Sequence, residues 1–135
     1  MEGRPTILFL CVHNAGRSQM AAAFARALAG ERVEVLSGGS DPADAVHPLV
    51  AAAMAERGID LTASQPRRYT EADLARADVI VTMGCGESCP VLPGKRYVDW
   101  PLPDPAGEPL ERVREIRDEI ERRVTGLLAE LLTRP

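Results

Sequence analysis

Lysine is almost missing from this 135-residue chain: Lys95 stands alone among 16 basic residues, and the rest are arginine. Charge usage of this kind follows GC-rich coding and an ordinary solvated surface, and it assigns no partner. Positive charge is not in excess either. The net charge of −4 excludes nucleic acid as the main partner, because duplex binding needs a basic face. Aromatics are scarce too, at only 4% of the residues, which leaves few rings for a substrate to stack upon. No apolar run approaches the length of a membrane span, and the opening Met1-Glu2-Gly3-Arg4-Pro5 leads straight into a short strand-like run. Neither a membrane nor a targeting segment is therefore expected, and the expected location is the cytoplasm. Cysteine is scarce and odd in number, at three, which does not make a disulfide framework and points instead to thiol chemistry in a reducing compartment.

What is present is one ordinary globular composition, 45% hydrophobic and 27% charged, over a length that suits a single domain from 1 to 135. Four runs read as strands: Thr6 to Leu10, Val33 to Ser37, Asp78 to Met83 and Arg96 to Trp100. The first and third are continuously apolar in their middles, as parallel strands covered on both faces require. Helical spacing fills the intervals. Met20, Ala23, Phe24, Ala27 and Leu28 recur along 18–28, and Leu49, Val50, Ala53 and Met54 along 48–57, with Gly58 as a C-terminal stop. Thr70 with Asp73 three residues on reads as a capped helix start, and Leu110, Val113, Ile116, Ile120, Val124, Leu127 and Leu131 form a long apolar stripe. The order β-α-β-α-α-β-β-α predicts an α/β fold: a four-stranded parallel sheet with helices on both faces and right-handed crossovers. Pro101 to Pro109 reads as an ordered loop within the one domain. Such sheets bind ligands beyond the carboxyl ends of their strands.

At that position stands Cys11-Val12-His13-Asn14-Ala15-Gly16-Arg17-Ser18. An apolar strand delivers a cysteine, five residues curl away, and an arginine and serine open a helix. Helix N-termini carry unsatisfied N–H groups and partial positive charge, which suit a tetrahedral oxyanion, and the same field favours a thiolate. Val12 to Gly16 can turn their amides inward as an anion nest, and Gly16 permits close approach. Arg17 can hold two oxygens bidentately, Ser18 can donate to the thiolate, and Asn14 can brace the loop. The expected site is therefore nucleophile Cys11, cation Arg17 and the oxyanion-binding loop Val12, His13, Asn14, Ala15, Gly16, Arg17 and Ser18.

The run Cys11 to Ala21, with Arg17-Ser18-Gln19-Met20-Ala21, resembles the active-site loop of the low-molecular-weight tyrosine phosphatase superfamily, and within it the arsenate reductase branch. The resemblance extends over essentially the whole chain, including Ser37-Gly38-Gly39 and Asp104-Pro105-Ala106-Gly107. It implies that Asp104 is the general acid that protonates the departing oxygen. Phosphatases of the superfamily follow Asp-Pro with an aromatic that flanks the substrate ring. Here Ala106-Gly107 follow, which favours a small inorganic oxyanion.

Cys85 and Cys89 add a reason to prefer arsenate over phosphate, because a thiol pair becoming a disulfide supplies two electrons. Parallel topology brings the segment after the third strand to the sheet edge of Cys11. A helical Gly86 to Ser88 would separate the two Cα atoms by ~6 Å, within disulfide range. Zinc is a poor alternative, since only His13 and His47 are left to complete a tetrahedral set, and His47 before Pro48 reads as a helix-start residue. No metal is expected, nor the potassium that some relatives hold with an acidic residue where Ala22 stands. The resemblance implies a relay: Cys11 attacks arsenate, Cys85 attacks Cys11 and releases arsenite, Cys89 attacks Cys85, and thioredoxin reduces the resulting disulfide. The short spacing Cys85-Gly86-Glu87-Ser88-Cys89 is more like that of actinobacterial relatives, some of which use mycothiol and mycoredoxin. The sequence thus predicts a monomeric arsenate reductase with no bound cofactor and an external thiol reductant. A phosphatase acting on aryl phosphates is the alternative. A non-catalytic anion or thiol sensor is disfavoured by Asp104, since a sensor needs no proton donor.

Overall fold

The computed structural model describes residues 4–84 and 94–132. Four strands form a single parallel sheet: β1 (Thr6–Cys11), β2 (Glu34–Gly39), β3 (Val79–Thr82) and β4 (Arg96–Asp99), in the order β2-β1-β3-β4. The helices are α1 (Arg17–Ala29), α2 (Pro48–Ala55), α3 (Glu71–Arg76) and α4 (Leu110–Leu132), with a 3-10 turn at Gly30–Arg32. The expected fold class holds, as do the four strands and four helices.

The central place of β1 explains why its sequence is apolar after Thr6. Ile7, Phe9 and Cys11 project into the larger core with α1, α2 and α4, whereas Leu8 and Leu10 project to the other face against Leu74 of α3, Ala77 and Ile80. Alternate side chains of a strand point to opposite faces, so a strand covered on both sides has no polar position. α4 lays Val113, Ile116, Ile120, Val124 and Leu127 on that larger core at helical spacing.

Three local expectations need correction. Leu28 and Leu49, read as core-facing, are 44% and 42% exposed. α1 is instead buried on every side from Arg17 to Ala25 and emerges only over its last turn, so its apolar stripe is confined to that first stretch. α2 ends at Ala55 rather than Arg57: Arg57 N–H donates to Met54 and Gly58 N–H to Ala55, a tightened last turn closed by Gly58 at φ 76°. The start of α3 is as expected, with Thr70 Oγ1 accepting from Asp73 N–H while the Asp73 carboxylate accepts from Thr70 N–H. No helix among the described residues is long and apolar enough to cross a membrane.

Candidate active site

Because all four strands run the same way, their carboxyl ends share one edge of the sheet. Cys11 ends β1 and Gly39 ends β2, Gly84 follows β3, and Leu102 and Asp104 follow β4. The chain leaves β1 for β2 on one side and returns to β3 on the other, so Cys11 lies at the switch point of the sheet.

From Cys11 the loop is held by its carbonyls. Those of Cys11, Val12, His13 and Ala15 accept from the N–H groups of Ser40, Asp41, Ala43 and His47 at 2.8 to 3.3 Å. These oxygens are thus committed to the 40–47 segment, while the loop amides are not. No backbone oxygen among the described residues receives the N–H groups of His13 to Ser18. Six donors at a helix N-terminus without a carbonyl partner form an anion nest. Among the described non-glycine residues Asn14 alone has a positive φ, 51°, a conformation that asparagine tolerates better than most. Its side chain stabilises that turn: Nδ2 donates to Ser18 Oγ at 2.7 Å, and Oδ1 accepts from Arg67 N–H and Gln19 Nε2.

That bond also orients the serine. Ser18 Oγ lies 2.8 Å from Cys11 Sγ and accepts from the Asn14 amide with one of its two lone pairs, which leaves the hydroxyl hydrogen available to sulfur. Cys11 and Ser18 are 2% and 0% exposed, so this contact is shielded from water.

Arg17 is buried as well, at 6% exposure. Its Nη1 donates to the Leu102 carbonyl at 3.1 Å, Nη2 stands 3.7 Å from Asp104 Oδ2, and buried Nε has no partner among the described residues. A guanidinium anchored by one nitrogen leaves the edge formed by the other two for a planar, bidentate anion contact. An orphaned buried donor is costly, and an oxyanion bound there would satisfy it. Asp104 is half exposed and accepts from Ala106 N–H through Oδ1, which fixes the start of a turn in which Glu108 N–H donates to Pro105 and Gly107 takes φ 76°. Next to this turn, a depression of about 320 Å³ is lined by His47, Pro48, Leu49, Val50, Pro105, Ala106, Gly107 and Glu108. None of these is Phe, Tyr or Trp.

The structure thus gathers Cys11, the loop Val12 to Gly16, Arg17, Ser18 and Asp104 at one sheet edge. Cys85 and Cys89 lie outside the described residues. His13 Nδ1 bonds the Asp41 carbonyl, so that nitrogen carries the proton, and His47 is the residue before Pro48 at the start of α2. Ala22 is wholly buried, and no group of three or more His, Cys, Asp or Glu among the described residues is placed to hold a metal ion.

Sequence reasoning missed several supports. Gln19 ties Asn14 to the Gln65 carbonyl, and Arg67 joins the Ser37 carbonyl to the Asp73 carboxylate while its own N–H reaches Asn14. Gly39 is required because a Cβ there would come within 2.5 Å of the Val12 carbonyl. Gln19 and Gly39 lie in the runs that carry the resemblance, whereas no motif singles out Gln65 or Arg67.

With this geometry in hand, residues 6–134 match the family described as low molecular weight phosphotyrosine protein phosphatase. The chain belongs to that family. Within it, the chain is similar to a protein of Halobacterium salinarum named "Putative arsenate reductase", with 45% identity covering 90% of this chain and 89% of that protein. It is also similar to the glutaredoxin arsenate reductase of Synechocystis, 36% identical over 93% of this chain and 97% of the relative. Among solved structures, the thioredoxin-dependent arsenate reductase of Corynebacterium glutamicum superposes with a TM-score of 0.86 at 42% identity. That match covers 98% of this chain but 64% of the other, so this chain spans just under two thirds of that structure's length. Proteins named as arsenate reductases are thus among the chain's similar relatives.

Proposed function

We propose that this chain reduces arsenate to arsenite with electrons from an external thiol. The observation that carries this reading is the presence of two cysteines beyond the nucleophile, Cys85 and Cys89, in a chain that also holds a tetrahedral-oxyanion cradle. A phosphatase needs the cradle and not the pair. Arsenate would occupy the loop amides and the free edge of Arg17, and Cys11 thiolate would attack arsenic. Once the oxyanion takes Arg17, the Asp104 carboxyl faces the departing oxygen and delivers its proton, so that oxygen leaves as water. A Cys11 sulfur–arsenic bond has then replaced an arsenic–oxygen bond.

Cys85 thiolate next attacks Cys11 Sγ. A sulfur–sulfur bond forms, the sulfur–arsenic bond breaks, and its electron pair stays on arsenic, which departs as arsenite. Cys89 then moves the disulfide to Cys85–Cys89 for reduction by a thioredoxin- or glutaredoxin-type protein. In the alternative route a small thiol such as mycothiol resolves the Cys11 adduct, and mycoredoxin completes the cycle. Either route belongs in a reducing compartment such as the cytoplasm. A monomer suffices, since every proposed group comes from one chain.

Purified protein is offered arsenate with thioredoxin and its reductase, or with mycothiol and mycoredoxin, and in parallel an aryl phosphate. Arsenite formation with at least one donor is the expected result. Rapid aryl phosphate turnover without arsenite would return the chain to the phosphatase reading. Cys11→Ser abolishes both activities. Cys85→Ser and Cys89→Ser abolish thioredoxin-dependent reduction, whereas full activity of both variants with mycothiol alone identifies the small-thiol route.

A further inference from the structure

Gly84 is the residue after Met83 at the carboxyl end of β3, and it has φ 80°, which an L side chain rarely adopts. A turn requirement alone would account for that angle. The surroundings add something else. A Cβ on Gly84 would overlap Arg17 Nη1 and approach Arg17 Cζ at 3.3 Å and the Leu102 carbonyl at 3.6 Å. The guanidinium therefore lies directly on the Gly84 backbone, in space that any other residue would fill. Nη1 is the nitrogen that donates to Leu102, at 3.1 Å, and that anchor leaves Nε without a partner and Nη2 facing Asp104 Oδ2 at 3.7 Å, the edge that an oxyanion would take.

We infer that Gly84 is a positioning residue for Arg17: its missing side chain forms the seat that turns the Nε–Nη2 edge of the guanidinium toward the bound oxyanion. The reason is a ranking of what can give way. The Leu102 carbonyl would be in ordinary contact with the new Cβ and need not move, whereas the overlapped Arg17 Nη1 is the tip of a long side chain that moves at little cost. A methyl group at 84 would thus be accommodated by shifting Arg17, breaking the Leu102 anchor and losing the bidentate alignment while the fold stays intact. Planar, two-point recognition loses most of its strength when the fork is rotated. Gly84 touches no reacting atom; it acts through Arg17. This inference rests on the oxyanion cradle of the proposed function, but not on which oxyanion is processed.

The test uses inorganic phosphate, whose binding by calorimetry needs no turnover and no reductant. A chain that fails to make arsenite but binds phosphate would sink the proposed reaction and leave this inference standing. Gly84→Ala is expected to weaken phosphate binding about tenfold or more, the loss of one charge-assisted contact. Gly84→Asn keeps a residue that tolerates positive φ yet brings a Cβ, and should weaken binding as much as Ala while melting closer to the wild type. In a double-mutant cycle, Arg17→Lys should cost far less in the Gly84→Ala background than in the wild type. Additive losses in that cycle, or wild-type phosphate affinity in Gly84→Asn, would overturn the inference.

Discussion

Asn14 concentrates more of the site's construction than any other single residue. It takes the positive φ that turns the loop, orients Ser18 toward Cys11 sulfur, and receives both Gln19 and the 67 backbone. Replacing it with alanine removes these bonds and leaves a left-handed position for a residue that resists it. A loss of about 2 kcal/mol in unfolding free energy is expected, measured by urea denaturation, since buried unsatisfied donors and strain both contribute. Asp104 makes a different prediction. Asp104→Asn can still accept from Ala106 N–H, so the turn persists while the proton donor is gone. Single-turnover formation of the Cys11 adduct should slow by ~10²-fold or more, with phosphate affinity changed only a few-fold. An unchanged adduct rate would remove Asp104 from the chemistry.

Two elements show how charge secures the packing of helices. Arg117, buried at the α2–α4 contact, donates to the Ala53 carbonyl and pairs with Glu56 and Asp118, while Arg114 grips Glu56 bidentately. Those hydrogen bonds, from Arg114 first and Arg117 next, hold the Glu56 carboxyl down at about 2 against an ordinary 4.5. A carboxylate lowered in the folded state stabilises above its unfolded value and loses that contribution as pH falls toward the folded value. The wild type should therefore be more stable than Glu56→Gln at pH 6, and the gap should close between about pH 4.5 and pH 2 in acid-unfolding curves. A gap constant across that range would contradict the assignment. At α3, Thr70→Ala removes one half of the reciprocal cap and should cost about 1 kcal/mol. Asp73 also holds Arg67, so the cap of α3 is linked through Arg67 to Asn14 and the loop.

At the scale of the whole molecule, the parallel sheet makes one edge out of four distant chain positions. Anion binding there joins the end of β1, the start of α1 and, through Arg17 and Asp104, the loop after β4, and so should stabilise the domain as a unit. Phosphate at about 100 times its dissociation constant should add ~2.7 kcal/mol, seen as a raised melting temperature in the wild type and not in Arg17→Ala.

The pattern of residues was enough for much of this. Apolar runs gave strands because parallel strands buried on two faces have no polar position, and the four-residue recurrence of Val113 to Leu127 gave α4. Cys11 to Ser18 were legible because their chemistry lies within one local loop, where spacing along the chain is spacing in space. Leu28 lies where a periodic stripe gives no warning, since the stripe says which side of a helix is apolar and not how far along it the core extends, whereas Leu49, beside buried Val50, lies at the stripe's margin and lines the depression next to Pro105. Gly84, Leu102 and Arg67 could not be read from the sequence at all. Each acts through a carbonyl, an amide or a missing side chain, groups with no distinctive residue type, and each reaches the loop from tens of residues away. Local chemistry was written in the order of the residues, whereas the seat of Arg17 and the support of Asn14 exist only because the parallel sheet brings its carboxyl ends together.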